Sequence, residues 1–431
     1  MKISPARAAA YKILLRIHRD RAFSSVLLAE SALQLNGPDR ALCHTLVLGV
    51  LRNQLYLDAL IDVLTNHRQL DLEVRIALRL GLFQIYFLER VPSYASISQT
   101  VELASLARKT SAKPFINAVL RKATAGRPEL SFGNGIEQLA IETSHPRWLI
   151  EKWIGQYGTE RAGQIAAAGN KMPALTYRLT RKALKKAFSY PDNWRQFPNI
   201  PGCFILKELD DFTVNAQTEG FIYFQNPASF LVAAAVEIPD NGSLLDVCAA
   251  PGSKSTAVSM LHFGKNVRIV AGDLYRKRVA SLKLNAVKQC ANDIYVLRYD
   301  AGQQLPFPSE MFDVVLVDAP CSGTGTLAAN PEIRYFLDPE DIKSLAEKQL
   351  RILVNASKVL RRGGRLIYST CSLEYEEGEG VIGRFLQMEG RNFKLRQIPL
   401  LQPFKTPDGF YRTMPDKDEM EGFFVSILEK Q

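Results

Sequence analysis

An acid, a proline and a cysteine stand close together in DAPCSGTG, Asp318 to Gly325, directly after the apolar run FDVVLV. A second cysteine stands in YSTCSLE, Tyr368 to Glu374, again at the end of an apolar run. An ionised thiol is a strong nucleophile and a carboxyl group carries protons, so a strand end bearing both is equipped for covalent and acid–base chemistry. A lone cysteine is often only a small buried hydrophobe. Two of them at two strand ends, one beside an acid, call for a different explanation.

A third constellation lies upstream. DVCAAPGSKS, Asp246 to Ser255, follows the apolar SLLDV with small residues that let the backbone approach a ligand closely. It is neither GxGxxG nor GxxxxGKS, which argues against a dinucleotide fingerprint and a P-loop. Asp273 ends the run RIVAGD, where a carboxylate can accept both ribose hydroxyls of a nucleoside, and Asp300 follows IYVLRYD, where it can meet an adenine edge. A single strand-end Asp is often only a helix cap. Three, at Asp246, Asp273 and Asp300, favour an adenosine-containing cofactor held without a phosphate cradle, and S-adenosylmethionine fits that description.

The elements that must position these groups alternate. SLLDV, RIVAGD, IYVLRYD, FDVVLVD and GRLIYST are short strand-like runs separated by helical stretches such as 277–288 and 339–360, and GFFVSILEK closes the sheet. That pattern predicts an α/β domain with a mostly parallel, doubly wound sheet, whose ligands sit at the carboxyl ends of the strands. Residues 1–128 read instead as an all-α bundle: Ile76, Leu80, Phe83 and Phe87, and Leu57, Leu60, Ile61 and Leu64, recur at helical spacing. The glycine- and proline-rich AGRPELSFGNG ends it. Residues 136–225 read as a small α+β module, with HPRWLIEKWIGQYG helical, ALTYRLT a strand and TRKALKKAFSY a basic amphipathic segment. The doubly wound domain then occupies 226–431.

With 431 residues, 47% of them hydrophobic and 23% charged, the chain is long enough for two or three cores. No apolar run is long enough to span a bilayer, and charges interrupt the apolar start MKISPARAAAYKILLRI, so no membrane role and a cytoplasmic location are expected. Six cysteines without CxxC or zinc-ligand spacing argue against structural disulfides and metal. Lys+Arg exceed Asp+Glu by 54 − 44 = 10, a surplus that suits a polyanionic partner.

At CAAPGSK, DAPCSGTG and STCSLEYEEGE the sequence resembles the RNA (cytosine-5)-methyltransferases, and among them the bacterial Sun/Fmu/RsmB type that acts on 16S ribosomal RNA. ARAAAYKILLRI, LVLGVLRNQLYLDALID, LRLGLFQIYFLERVP and PFINAVLRKA resemble the NusB-type RNA-binding bundle joined to that subfamily. The likeness implies a Rossmann-like class I S-adenosylmethionine-dependent methyltransferase domain, ribosomal RNA of the small subunit as partner, no DNA substrate, and a monomer. It makes Cys371 the nucleophile and Cys321 the thiol that helps release the product. Cys248, Ala249, Ala250, Pro251, Gly252, Ser253 and Lys254 become the cofactor loop, and Asp273, Asp300 and Asp318 contact cofactor or target base. Two positions depart from the family pattern: Ser253 replaces a second glycine of CAAPGGK, and Tyr375, Glu376, Glu377, Gly378 stand where the family often has Pro-Glu-Glu-Asn.

The implied chemistry suits these groups. Carbon 5 of cytosine is a poor nucleophile until a thiolate adds at carbon 6; Lys254 is a candidate to favour that thiolate, and Asp318 to hydrogen-bond or protonate N3. A base must leave its stack to be reached, which is least costly for a single-stranded or loop cytidine. In the bundle, Asn117 and Arg121 are the better candidates for RNA contact. Two alternatives stay open: a non-catalytic NusB-like factor with a retained methyltransferase scaffold, and a DNA cytosine methyltransferase using Pro320-Cys321.

Overall fold

The computed structural model describes residues 3–191, 194–198, 200–206 and 209–431. The chain divides into two compact units, Met1–Lys171 with Leu327–Phe336, and Met172–Thr326 with Leu337–Gln431. In the first, local signals set the helix ends. Asn36 caps the helix Gly37–Arg52 by accepting from Asp39 N–H at 2.9 Å, with a proline in the first turn, and Pro92 immediately precedes the helix Ser93–Leu106. The periodic residues Leu57, Leu60, Ile61, Leu64, Ile76, Leu80 and Phe83 are buried as their spacing predicts. Phe87 differs: in the last turn of the helix Leu72–Phe87 it stays 37% exposed, stacked on Phe83 and covered by the Arg127 guanidinium.

Leu327–Phe336 follows closely on the DAPCSGTG turn, yet it is built into this helical unit. The fully buried Arg334 donates to Asn170 Oδ1 at 2.7 Å and to Gly169 O at 3.0 Å, Tyr335 donates to Leu51 O at 2.7 Å, and Glu332 accepts from Ser24 N–H at 2.8 Å.

The second unit holds two sheets. β1 (Leu175–Leu179), β2 (Arg195–Gln196), β3 (Cys203–Leu206) and β4 (Ile222–Phe224) form an antiparallel sheet in the order β2-β3-β1-β4. Tyr177, Phe204 and Trp194 pack together on it. The larger sheet contains β5 (Ser243–Asp246), β6 (Arg268–Asp273), β7 (Ile294–Arg298), β8 (Phe312–Asp318), β9 (Leu360–Thr370), β10 (Phe393–Leu395), β11 (Tyr411–Thr413) and β12 (Phe423–Lys430). Its order is β10-β12-β9-β8-β5-β6-β7, with β11 also on β12. β5 to β9 pair in parallel, and the near-continuous apolar runs of β5 and β8 reflect burial on both faces, whereas the edge strand β7 leaves Tyr295 and Leu297 exposed. GFFVSILEK forms β12, antiparallel to β9, but it lies inside the sheet, because the three-residue strands β10 and β11 pair beyond it. Strand order reverses between β5 and β8, so their carboxyl ends open onto a topological switch point.

Candidate active site

Cys248, Asp273, Asp300, Asp318, Cys321 and Cys371 all line one cavity of about 200 Å³ at those carboxyl ends. In the loop Cys248–Lys254, Cys248 and Ala250 line the cavity, whereas Ala249, Pro251, Gly252, Ser253 and Lys254 do not. Ala249 N–H donates to Gly272 O at 2.8 Å, pinning the loop to β6. Gly252 has φ +98°, and a Cβ there would stand 2.5 Å from Leu282 Cδ1, so glycine is required to start the helix Ser253–Leu261. Ser253 is tolerated because it is already helical.

The first turn of that helix is tied to β1 by Arg178. This fully buried guanidinium donates to Gln225 Oε1 at 2.6 Å, Thr256 Oγ1 at 2.8 Å, Leu179 O at 3.0 Å and Ser253 O at 3.1 Å. Burial pulls its pKa down to about 10. Arg178→Met is expected to lower stability by about 3 kcal/mol, because it strands several buried acceptors at once; urea denaturation measures this.

The donor set suits an adenosine. Asp273, nearly buried, accepts only at 3.3 Å from Ala250 N–H and Tyr275 N–H beside the Arg278 guanidinium at 3.2 Å, which leaves acceptor capacity for a diol. Asp300 is exposed and binds Gly302 N–H at 2.8 Å through Oδ1. Tyr299 lines the cavity, and its buried Oη has no hydrogen-bond partner among the described residues, as expected where a ligand would complete the site.

Asp246 does not line the cavity; Ser255 donates to its Oδ2 at 2.6 Å. Burial pushes Asp246 up to about 7 against the Ser255 hydrogen bond, helped by the charge of Asp318. Its folded pKa therefore exceeds its unfolded one. The stability it contributes is complete below about pH 4 and is lost as pH rises through about 7, with an upper bound of about 4 kcal/mol. In urea titrations, Asp246→Asn should flatten the decline in stability between those pH values.

Also lining the cavity, Cys321 Sγ and Cys371 Sγ are 3.2 Å apart. The turns carrying them are zipped by Gly325 N–H to Cys371 O at 3.0 Å and Leu373 N–H to Thr324 Oγ1 at 3.0 Å. A Cβ on Gly325 would stand 2.0 Å from Gly422 O, which explains that glycine. Asp318 is held at both oxygens: Lys254 Nζ donates to Oδ2 at 2.7 Å and Ser369 Oγ to Oδ1 at 2.8 Å. Ser369 is the cross-strand partner of Asp318 in the β8–β9 ladder. Burial opposes the Lys254 ammonium, but the charge and hydrogen bond of Asp318, then the charges of Cys371 and Asp246, hold its pKa above the ordinary value. Cys321 is pushed well above the usual thiol range by its hydrogen bond to Cys371, by burial, and by the charges of Cys371, Glu377 and Asp318.

Among the polar neighbours, sequence reasoning missed Ser369, Arg178 and the role of Glu377. Strand alternation could have flagged Ser369. Glu377 is one of three acids in YEEGE that nothing in the sequence distinguishes. The departure at Gly378 has a local counterpart: Arg412 Nη2 lies 2.9 Å from where a Cβ would stand, and the guanidinium donates to Glu379 Oε2 at 2.7 Å and Ser372 O at 3.1 Å. Arg412 therefore takes up the space a side chain at position 378 would use.

A parallel sheet wound both ways from its switch point, with an acid-ringed pocket there, defines a Rossmann-like methyltransferase fold, here combined with an all-helical NusB-type domain and a ferredoxin-like module. The sequence profile of the 16S rRNA methyltransferase RsmB/F family matches residues 233–429, that of the NusB family residues 4–125, and that of the RsmF/B-like ferredoxin-like domain residues 145–187. The probable ribosomal RNA small subunit methyltransferase B of Bacillus subtilis is 31% identical over 456 aligned residues, covering 100% of both chains. The ribosomal RNA small subunit methyltransferase B of Thermus thermophilus is 31% identical, covering 100% of this chain and 99% of its own. The chain belongs to the RsmB/F family of 16S rRNA methyltransferases. The crystal structure of PH0851 matches with a TM-score of 0.84 at 24% identity over 100% of both chains. A methyltransferase homolog protein from Pyrococcus horikoshii matches with 0.58 at 25% identity, over 70% of this chain and 100% of its own.

Proposed function

We propose that the chain methylates carbon 5 of a cytidine in 16S ribosomal RNA, with S-adenosylmethionine as donor, through a covalent adduct at Cys371. The observation that carries this reading is the contact between Cys321 and Cys371 in the cavity that Asp318, paired with Lys254, also lines. Cys371 Sγ bonds to carbon 6 of the flipped base, and the electrons of the 5,6 double bond are pushed toward the ring. Asp318, fixed by Lys254 and Ser369, meets N3, and the proton that neutralises the charge arriving there passes from the Lys254 ammonium through this carboxylate, leaving Lys254 as the neutral amine. The resulting enamine makes carbon 5 nucleophilic. Bound in the acid-ringed half of the cavity, the cofactor supplies an electrophilic methyl group. A base then removes the carbon 5 proton, the double bond re-forms, and the bond to Cys371 breaks with Cys321 beside the leaving sulfur.

The division into 1–128, 136–225 and 226–431 would suit this work: a NusB-type bundle and a small α+β module with a basic segment to grip RNA, and a domain for chemistry. Arg121 is exposed and Asn117 half-buried on the helix Lys113–Ala125, as RNA contacts require. The family names of the relatives support small-subunit ribosomal RNA as substrate. The test incubates the protein with labelled cofactor and either stripped 16S RNA or partly assembled small subunits, then separates the nucleosides. Label in 5-methylcytidine is expected. Unlabelled RNA beside a working control enzyme, or label in another nucleoside, would overturn the proposal.

A further inference from the structure

Glu377 lies in the short turn after Cys371 and is fully buried. Its carboxylate meets four donors. Ser322 N–H and Gln349 Nε2 donate to Oε1, each at 2.9 Å; Ser372 Oγ donates to Oε2 at 2.6 Å, and Ser322 Oγ donates to the same oxygen. A set made only of donors matches an ionised, acceptor-only carboxylate. All four are uncharged groups. Tyr368 fixes the backbone here by donating from its hydroxyl to Glu377 O at 2.7 Å.

Ser322 directly follows Cys321, and Ser372 directly follows Cys371. One buried carboxylate therefore grips the residue next to each sulfur. We propose that Glu377 is a positioning residue for both thiols: it clamps the two turns so that the sulfurs stay in contact, and its charge leaves Cys321 as the proton-bearing partner. This rests on the reading of the pair as nucleophile and release group. Two thiols in contact present a selection problem, since either could attack the base. A fixed negative charge beside Ser322 resolves it by disfavouring the Cys321 thiolate. Cys321 then has a proton to share with the sulfur that leaves carbon 6. The groups facing Cys321 point the same way: Cys371, Glu377 and Asp318 all raise it, and Tyr368 bears no charge at neutral pH. Lys348 also lines the cavity, and Lys254 is engaged by Asp318.

The test reads the thiol directly. In full-length protein carrying Cys371→Ala, alkylation of Cys321 by iodoacetamide is followed against pH by mass spectrometry of its peptide. Adding Glu377→Gln should move the midpoint down by about one pH unit, and an unmoved midpoint would overturn the proposal. With both cysteines present, Glu377→Gln should lower kcat by about tenfold while KM for the cofactor changes little; wild-type kcat would also overturn it. Should the glutamine variant fail to fold, Ser322→Ala probes the clamp alone. Diamide, an azo oxidant, takes the two thiol hydrogens, is reduced to the hydrazine and joins the sulfurs, with a mass loss of two hydrogens. The alanine variant should form this disulfide several-fold more slowly, and an unchanged rate would refute the clamp. A midpoint that falls while Cys321→Ala traps no RNA would keep the clamp and remove the covalent reading; a fixed midpoint with RNA trapped would do the reverse.

Discussion

Cys371→Ala should lose methyl transfer by at least about 10⁴-fold while cofactor binding by calorimetry stays within a few-fold of wild type. The separation is expected because Cys371 follows β9, which β8 and β5 separate from β6, the strand that ends in Asp273. Without a bond to carbon 6, carbon 5 keeps the low reactivity of an aromatic ring. Cys321 is close enough to substitute, at 3.2 Å, but burial and the charges of Glu377 and Asp318, which remain once Cys371 is removed, still raise its pKa and keep the thiolate fraction small. Residual turnover should therefore rise with pH as Cys321 ionises. Full activity in the variant at neutral pH would reverse the assignment of the two cysteines.

Cys321→Ala should behave in the opposite way, transferring the methyl group but failing to let go. The protein should accumulate on RNA as a complex that survives denaturing electrophoresis. The adduct forms through Cys371, Asp318 and Lys254, none of which the substitution removes, so the first half of the reaction proceeds. Release breaks the bond between Cys371 Sγ and carbon 6, and the group in contact with that sulfur is the Cys321 thiol. Stable complex with Cys321→Ala, and none with Cys321→Ala combined with Cys371→Ala, is the expected pair of results. Ordinary turnover by the single variant would remove Cys321 from the release step.

The alternation of short apolar runs with helical stretches made the doubly wound sheet legible, and the polar residues that interrupted it marked the strand ends. Asp273, Asp318 and Cys371 stand where that reading puts them, because each directly terminates or follows its strand. The supporting shell was not legible. Arg178 lies on β1 but secures the helix after β5, and Glu377 serves residues 55 and 5 positions away. Such partners are chosen by which elements become neighbours, and periodicity does not encode that. β10 and β11 escaped for a simpler reason: three residues carry too little alternation to read. Leu327–Phe336 reads as a continuation of the α/β domain, whereas buried Arg334 and Tyr335 build it into the helical unit.

The most direct measurement of the covalent claim is a peptide map. Cys321→Ala protein is reacted with cofactor and a 16S RNA fragment, digested with nuclease and protease, and sequenced by mass spectrometry. The account predicts a methylated cytidine nucleotide attached to the peptide containing Cys371. A nucleotide on any other residue, or methylated RNA produced with no trace of attachment, would contradict it.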